Sequence, residues 1–149
     1  MQIAVLDTNI LIHYFKNSPL ITQVRSFLEE HTLTSVISVV TKAELIAIAK
    51  RNNWGDKRLS DLNMLLADFA YSDIEYNNTE LLNAYASIDA FSQGKAPAPN
   101  GQMLNNSSRN MGKNDLWIAA TTYTLEATLL TTDGDFDHLN DVYFKLKKF

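Results

Sequence analysis

Asp7, Glu44, Asp115 and Asp133 are the residues of this chain whose type and placement bear most directly on chemistry. Asp7 closes a short apolar run, and Asp133 follows another. Glu44 lies in a helical pattern after a β-branched segment, and Asp115 opens the pattern that succeeds a long polar stretch. In an open α/β sheet, sites form in the crevice beyond the carboxyl ends of the strands. Asp7 and Asp133 are expected at such ends, and Glu44 and Asp115 near helix starts that face the same edge. Carboxylates gathered there repel, so without a cation some must bind protons or stay apart. A donor set of carboxylate oxygens suits hard cations, Mg²⁺ or Mn²⁺. Two such ions about 3.5–4 Å apart can hold the attacking and leaving oxygens of a phosphodiester displacement, so the cluster points to phosphoryl chemistry.

Each acid also has a purely structural use. Asp7 is placed to cap the following helix. Thr41-x-x-Glu44 reads as a capping box. Asp115 suits the first turn of a helix, beside Asn114 as a cap. Asp133-Gly134 is an ordinary turn signal. The functional reading gains weight only if the four act as a set.

The elements that must position them alternate between strand and helix. Ile3 to Leu6 reads as a buried parallel strand. Thr8 to Lys16 reads as a short helix, and Pro19 starts another with Ile21, Val24, Phe27 and Leu28 at helical spacing. Leu33 to Ser38 is a strand by its β-branched content, and Val39 to Arg51 a helix. Leu59, Leu62, Leu66 and Phe69 mark a helix, Tyr71 to Ile74 a brief strand, and Leu81, Tyr85, Ile88 and Phe91 a further helix. Ser92 to Lys113 carries Gly94, Pro97, Pro99, Gly101 and Gly112 with few apolar anchors, and is expected to be a long surface loop. Loops of this length are usually functional or mobile. Asn114 to Glu126 is then a helix, Ala127 to Thr131 a strand, Phe136 to Leu139 a helical turn, and Val142-Tyr143-Phe144 a last strand. The pattern implies an α/β fold with a mostly parallel central sheet flanked by helices.

Composition narrows the classes. The 149 residues fit one domain, with 46% hydrophobic and 20% charged residues. The chain has no cysteine, which removes disulfide scaffolds, thiolate zinc sites and cysteine nucleophiles. No stretch reaches the roughly 18 apolar residues of a spanning helix, and the N-terminus does not read as a signal peptide, so a cytoplasmic protein is expected. The formal net charge of −4 argues against nucleic-acid binding by bulk basicity alone. It leaves room for a site in which bound cations reverse the local field. His13, His31 and His138 show no zinc-ligand spacing and read as structural or surface residues. Lys42, Lys113 and the Lys145-Leu146-Lys147-Lys148 cluster read first as solvated charges, with phosphate contact as the alternative. Trp117, Tyr123, Tyr85 and Phe91 read as core or dimer contacts.

The acids become a set through a resemblance. Ile3-Ala4-Val5-Leu6-Asp7-Thr8-Asn9-Ile10-Leu11-Ile12 resembles the first strand of the PIN-domain family, which ends in Asp-Thr-Asn. Ser35 to Leu45 resembles the segment that delivers the family's helical acid. Gly112-Lys113-Asn114-Asp115-Leu116-Trp117-Ile118-Ala119-Ala120 is similar to the third signature and is the most specific of the four. Leu129-Leu130-Thr131-Thr132-Asp133-Gly134-Asp135-Phe136 is similar to the fourth. The motifs occur in the family's order over nearly the whole chain, which implies a single PIN-like, three-layer domain over 1–149.

The resemblance implies that Asp7, Glu44, Asp115 and Asp133 bind the metal and serve catalysis, with Asn9 and Thr132 supporting them by hydrogen bonds. Asp135, two residues beyond Asp133, is the alternative fourth acid. The activity implied is hydrolysis of RNA by metal-activated water, without a covalent intermediate, leaving 5′-phosphate and 3′-hydroxyl ends. A chain that is little more than a PIN domain resembles the VapC-like toxins of bacterial toxin–antitoxin pairs. A small antitoxin protein and a homodimer are therefore the partners expected, with Tyr14 and Phe15 as candidate dimer contacts. The 92–113 loop is longer than in the compact toxin members, so substrate choice or partner contact is expected to differ.

Three other readings compete. A haloacid-dehalogenase-like phosphatase also starts from a strand and an Asp, but needs a second acid two residues on, where this chain has Asn9. A receiver domain needs adjacent acids near the first strand and a phosphoacceptor after the third, and neither is evident. A non-catalytic scaffold that binds RNA or protein would keep the fold without the chemistry.

Overall fold

The structure, a computed structural model, describes residues 2–149. Five parallel strands form one sheet: β1 (Gln2–Leu6), β2 (Leu33–Ser38), β3 (Ala70–Ser72), β4 (Thr128–Thr131) and β5 (Lys145–Lys148), in the spatial order β3-β2-β1-β4-β5. Six helices connect them: α1 (Thr8–Phe15), α2 (Leu20–Glu30), α3 (Val39–Arg51), α4 (Asp56–Ala67), α5 (Thr79–Ser92) and α6 (Lys113–Thr124). A 3-10 helix, Gly134–Leu139, lies between β4 and β5.

The sheet is covered on both faces, and the strand residues sort between the two by their alternation. Ala4, Leu6 and Leu130 face one cluster, with Ile10, Val24, Leu45 and Leu62 from α1 to α4. Val5 and Leu129 face the other, with Leu81, Ile88, Phe91 and Ile118 from α5 and α6. Burial on two sides explains why the central strands read as unbroken apolar runs. The result is the three-layer α/β arrangement that the alternating elements predict.

The strand order reverses at β1, which has β2 on one side and β4 on the other. A crevice at such a reversal is where α/β folds place their ligands. Asp7 leaves β1 and Asp133 follows β4, so both acids stand at that point.

Most predicted elements match within a residue or two, but three readings need correction. The last strand is not Val142-Tyr143-Phe144 but Lys145–Lys148. Tyr143 and Phe144 turn inward and fill the core, with the Tyr143 hydroxyl 2.7 Å from Ser87 Oγ. The lysine-rich segment pairs with β4 instead, as an edge strand whose charges discourage further pairing. The cap of α3 is Ser38, which accepts from Val40 N at 3.2 Å, so Thr41 and Glu44 form no capping box. The cap position of α6 is Gly112, not Asn114.

The long loop runs over the surface yet is pinned in places. Ala98 and Met111 are buried, and Leu104 packs beside them. Gly101 takes a positive φ of 84°, which a glycine adopts without strain, in the turn where its N–H donates to Ala98 O at 2.8 Å.

Candidate metal centre

Asp7 is buried at 3% exposure, and both of its carboxylate oxygens are engaged. Oδ1 accepts from Thr8 N at 2.8 Å, which caps α1. Oδ2 accepts from Thr131 Oγ1 at 2.7 Å. The capping use and the site use of Asp7 therefore coexist. The β1–β4 register explains the second contact. Leu6 is paired with Leu130, so the next residues, Asp7 and Thr131, emerge side by side.

Thr131 serves two acids with one hydroxyl: its proton goes to Asp7, and its oxygen accepts from Asp133 N at 2.9 Å. Asp133 in turn caps the 3-10 helix, its Oδ1 accepting from Asp135 N at 2.9 Å. On the other side of the crevice Thr8 Oγ1 donates to Glu44 Oε1 at 2.7 Å, and lies 3.2 Å from Thr41 Oγ1. These bonds fix Glu44 in the second turn of α3, facing α1. Asp115 stands in the first turn of α6, where the helix dipole favours an anion.

The five acids converge. Carboxylate oxygens of Asp115, Asp133 and Asp135 lie within 4.8 Å of one another. Burial first, and then the charges of Asp7, Asp133, Glu44 and Asp135, together push the Asp115 carboxyl up to about 7. Burial also raises Asp7, against the Thr131 and Thr8 hydrogen bonds that lower it, while Glu44 and Asp133 push it upward. Each acid of the predicted set is thus close enough to perturb another. Asp133 is half-buried and tied to Thr131, whereas Asp135 is exposed.

Asn9 and Thr132 are half-buried beside the site, and among the described residues neither side chain is hydrogen-bonded to an acid. Thr8 and Thr131, their immediate neighbours, make those bonds instead. The signal for Thr131 lay in the strand pairing, which sequence spacing does not reveal.

The donor set is oxygen-only and tightly spaced, and burial, with the neighbouring charges, raises the Asp115 and Asp7 carboxyls. That is the arrangement a hard divalent cation relieves, and the acidic group fits one. A groove of about 360 Å³ adjoins it, running from Glu44 and Asn114 along α3 to Arg51.

The chain belongs to the PIN-domain family: the PIN domain profile matches residues 4–142. It is 30% identical over 147 residues to Ribonuclease VapC1 of Haemophilus influenzae strain R2866, covering 97% of each chain. Among solved structures it resembles VapBC-1 from nontypeable Haemophilus influenzae, with a TM-score of 0.69 and 27% identity over 99% of this chain and 98% of that one. It also shares the fold of VapBC2 from Rickettsia felis, with a TM-score of 0.73 and 21% identity over 99% of both chains.

Proposed function

We infer that this protein is a Mg²⁺- or Mn²⁺-dependent endoribonuclease, the toxin half of a toxin–antitoxin pair. The observation that carries the reading is the convergence of Asp7, Glu44, Asp115, Asp133 and Asp135 at the sheet's reversal point, with Asp115 held near a pKa of 7 by burial and its neighbours. The relatives named VapC1 and VapBC-1 support the toxin assignment.

In this reading Asp7, Glu44, Asp115 and Asp133 are the catalytic, metal-holding acids. Asp133 is preferred to Asp135 as the fourth ligand because Thr131 fixes its backbone and it is half-buried, whereas Asp135 is exposed. Thr131 and Thr8 aim Asp7 and Glu44. Asn9, Thr132 and Asp135 supply polar groups at the rim. When bound, the cation activates water and neutralises charge developing on the phosphodiester. Arg51, which lines the groove with Glu44 and Asn114, and Lys113, which lines the adjoining hollow with Glu44 and Asp115, offer cations to the RNA backbone in an otherwise acidic protein.

The single sheet and the profile match over 4–142 support one PIN domain along the chain. A small antitoxin is the expected partner and a homodimer the expected assembly. Tyr14 packs on Phe69 and Phe15 on Trp54 within the chain, and both stay half-buried, so they remain the candidate dimer contacts. Among the described residues no helix is long and apolar enough to cross a membrane. A non-catalytic scaffold would retain a repelling cluster of acids with nothing to offset it, which disfavours that alternative.

The test is cleavage of a total small-RNA pool by purified protein with Mn²⁺, beside an EDTA control and Asp115→Asn, with product ends mapped. Metal-dependent cuts that leave 5′-phosphates and vanish in the variant are expected. Cuts that persist in EDTA, or equally in Asp115→Asn, would refute the assignment.

A further inference from the structure

Carboxylates that repel stay close only if something else holds them. For Asp7, Glu44 and Asp133 the ties are the Thr8 and Thr131 hydroxyls. No such tie joins Asp115 to Asp133 or Asp135: among the described residues no hydrogen bond links them directly, yet their oxygens lie within 4.8 Å.

The restraint lies behind the acids. Ser92, the last residue of α5, is fully buried. Its Oγ lies 2.7 Å from His138 Nε2, on the 3-10 helix that carries Asp135 and follows Asp133. The same Oγ donates to Met111 Sδ at 3.3 Å, four residues before Asp115. Arg109 completes the junction. Its N–H donates to Ser92 O at 2.7 Å, and its Nη1 donates to Gly134 O at 3.4 Å, between Asp133 and Asp135. One buried serine and one arginine thus connect the segment leading into Asp115 with the turn bearing the other two acids.

We propose that Ser92, Arg109 and His138 are positioning residues that hold Asp115 against Asp133 and Asp135, and so set the affinity of the acid cluster for a divalent cation. Ser92 Oγ can pass its proton to Met111 Sδ or to His138 Nε2, and the first order leaves no buried N–H without a partner. With the Ser92 proton on Met111 Sδ, the proton that Ser92 Oγ accepts must come from His138 Nε2. Nδ1 is then a bare nitrogen, and it is indeed buried without a partner. The ring is fixed further by stacking on Phe91 at 6.4 Å between centroids, with the planes 6° apart. Charging the ring would put an unpaired N–H at Nδ1 near Arg109, and burial together with Arg109 lowers the His138 pKa to about 4. In that order the histidine is a neutral donor to Ser92 rather than a ligand or a base.

The proposal rests on the reading of the acids as a metal site, and the test separates the two. Mn²⁺ affinity is measured by calorimetry on the full chain, with the metal-free melting temperature recorded beside it, for wild type, Ser92→Ala, Arg109→Gln, His138→Phe and His138→Gln. Loss of partners behind metal ligands typically weakens binding 10–100-fold, and about tenfold weakening is expected for Ser92→Ala, Arg109→Gln and His138→Phe. His138→Gln places an amide N–H where Nε2 stands and is expected to restore affinity. Variants that melt earlier but bind Mn²⁺ as wild type does would show a merely structural junction and overturn the proposal. Failure of His138→Gln to outperform His138→Phe would do the same. If His138→Phe does not fold, Ser92→Ala decides. A wild type that binds no Mn²⁺ would instead bring down the metal-site reading beneath it.

Discussion

Thr131 Oγ1 donates to Asp7 Oδ2 at 2.7 Å, across 124 positions of sequence, and the same oxygen receives the N–H of Asp133. The strand pairing of β1 with β4 makes this contact, and through it the first and last acids share one scaffold. Thr131→Val keeps the shape and removes both bonds. The variant is expected to be destabilised by about 1–3 kcal/mol, the usual penalty for stranding a buried polar group, and to bind Mn²⁺ more weakly. Thr131→Ser is expected to recover both. Chemical denaturation with and without Mn²⁺ measures the two effects.

The raised Asp115 carboxyl gives the metal-free protein a defined pH dependence. Its pKa is 3.8 when unperturbed and about 7 in the fold. Between those values the folded chain holds a proton that the unfolded chain has released. The group's contribution to stability is thus fully present below the unfolded value, falls as pH rises through the window, and levels off above about 7. Asp115→Asn removes this slope. Its stability relative to wild type is expected to increase steadily across the window in EDTA, as followed by denaturation at several pH values. Parallel curves for the two proteins would show that Asp115 is not perturbed.

Cation binding must displace that proton. At pH 6, below the Asp115 value of about 7, Mn²⁺ binding is expected to release protons and to strengthen as pH rises, flattening above that value. Calorimetry in two buffers of different ionisation enthalpy reads the released proton directly. Buffer-independent heats would contradict the coupling.

The turn that presents Asp133 and Asp135 hangs on Phe136, which is fully buried in the cluster formed by α5 and α6. Phe136→Ala is expected to lower unfolding free energy by about 3–5 kcal/mol, as for other buried aromatic truncations. An exposed ion pair on the same element, Lys148–Asp137 at 2.8 Å, is worth far less. Lys148→Ala is expected to change stability by less than about 1 kcal/mol. Urea denaturation of both variants tests the contrast.

Much of this was legible in the residues themselves. Strands buried on both faces show as apolar runs, so β1, β2 and β4 were readable, and the positions of Asp7 and Asp133 followed from their ends. Glu44 and Asp115 needed the ordered motifs, because a helix-start acid has ordinary uses. What stayed hidden depends on tertiary packing. Tyr143 and Phe144 read as strand by composition, yet the core claims both rings and leaves Lys145–Lys148 to pair. Thr8 and Thr131 carry no local signal that sets them apart from Asn9 and Thr132, since only the β1–β4 register selects Thr131 and only the packing of α1 on α3 selects Thr8. Ser38 caps α3 from inside a β-branched run, where Thr41-x-x-Glu44 gave the more familiar pattern.

If Asp7, Glu44, Asp115 and Asp133 form one divalent-cation site, anomalous diffraction from crystals grown with Mn²⁺ must reveal the ion among their oxygens. The predicted result is a Mn²⁺ peak in direct contact with carboxylate oxygens drawn from Asp7, Glu44, Asp115 and Asp133, absent in Asp115→Asn. Manganese bound elsewhere, or an acid cluster left empty at saturating Mn²⁺, would contradict it.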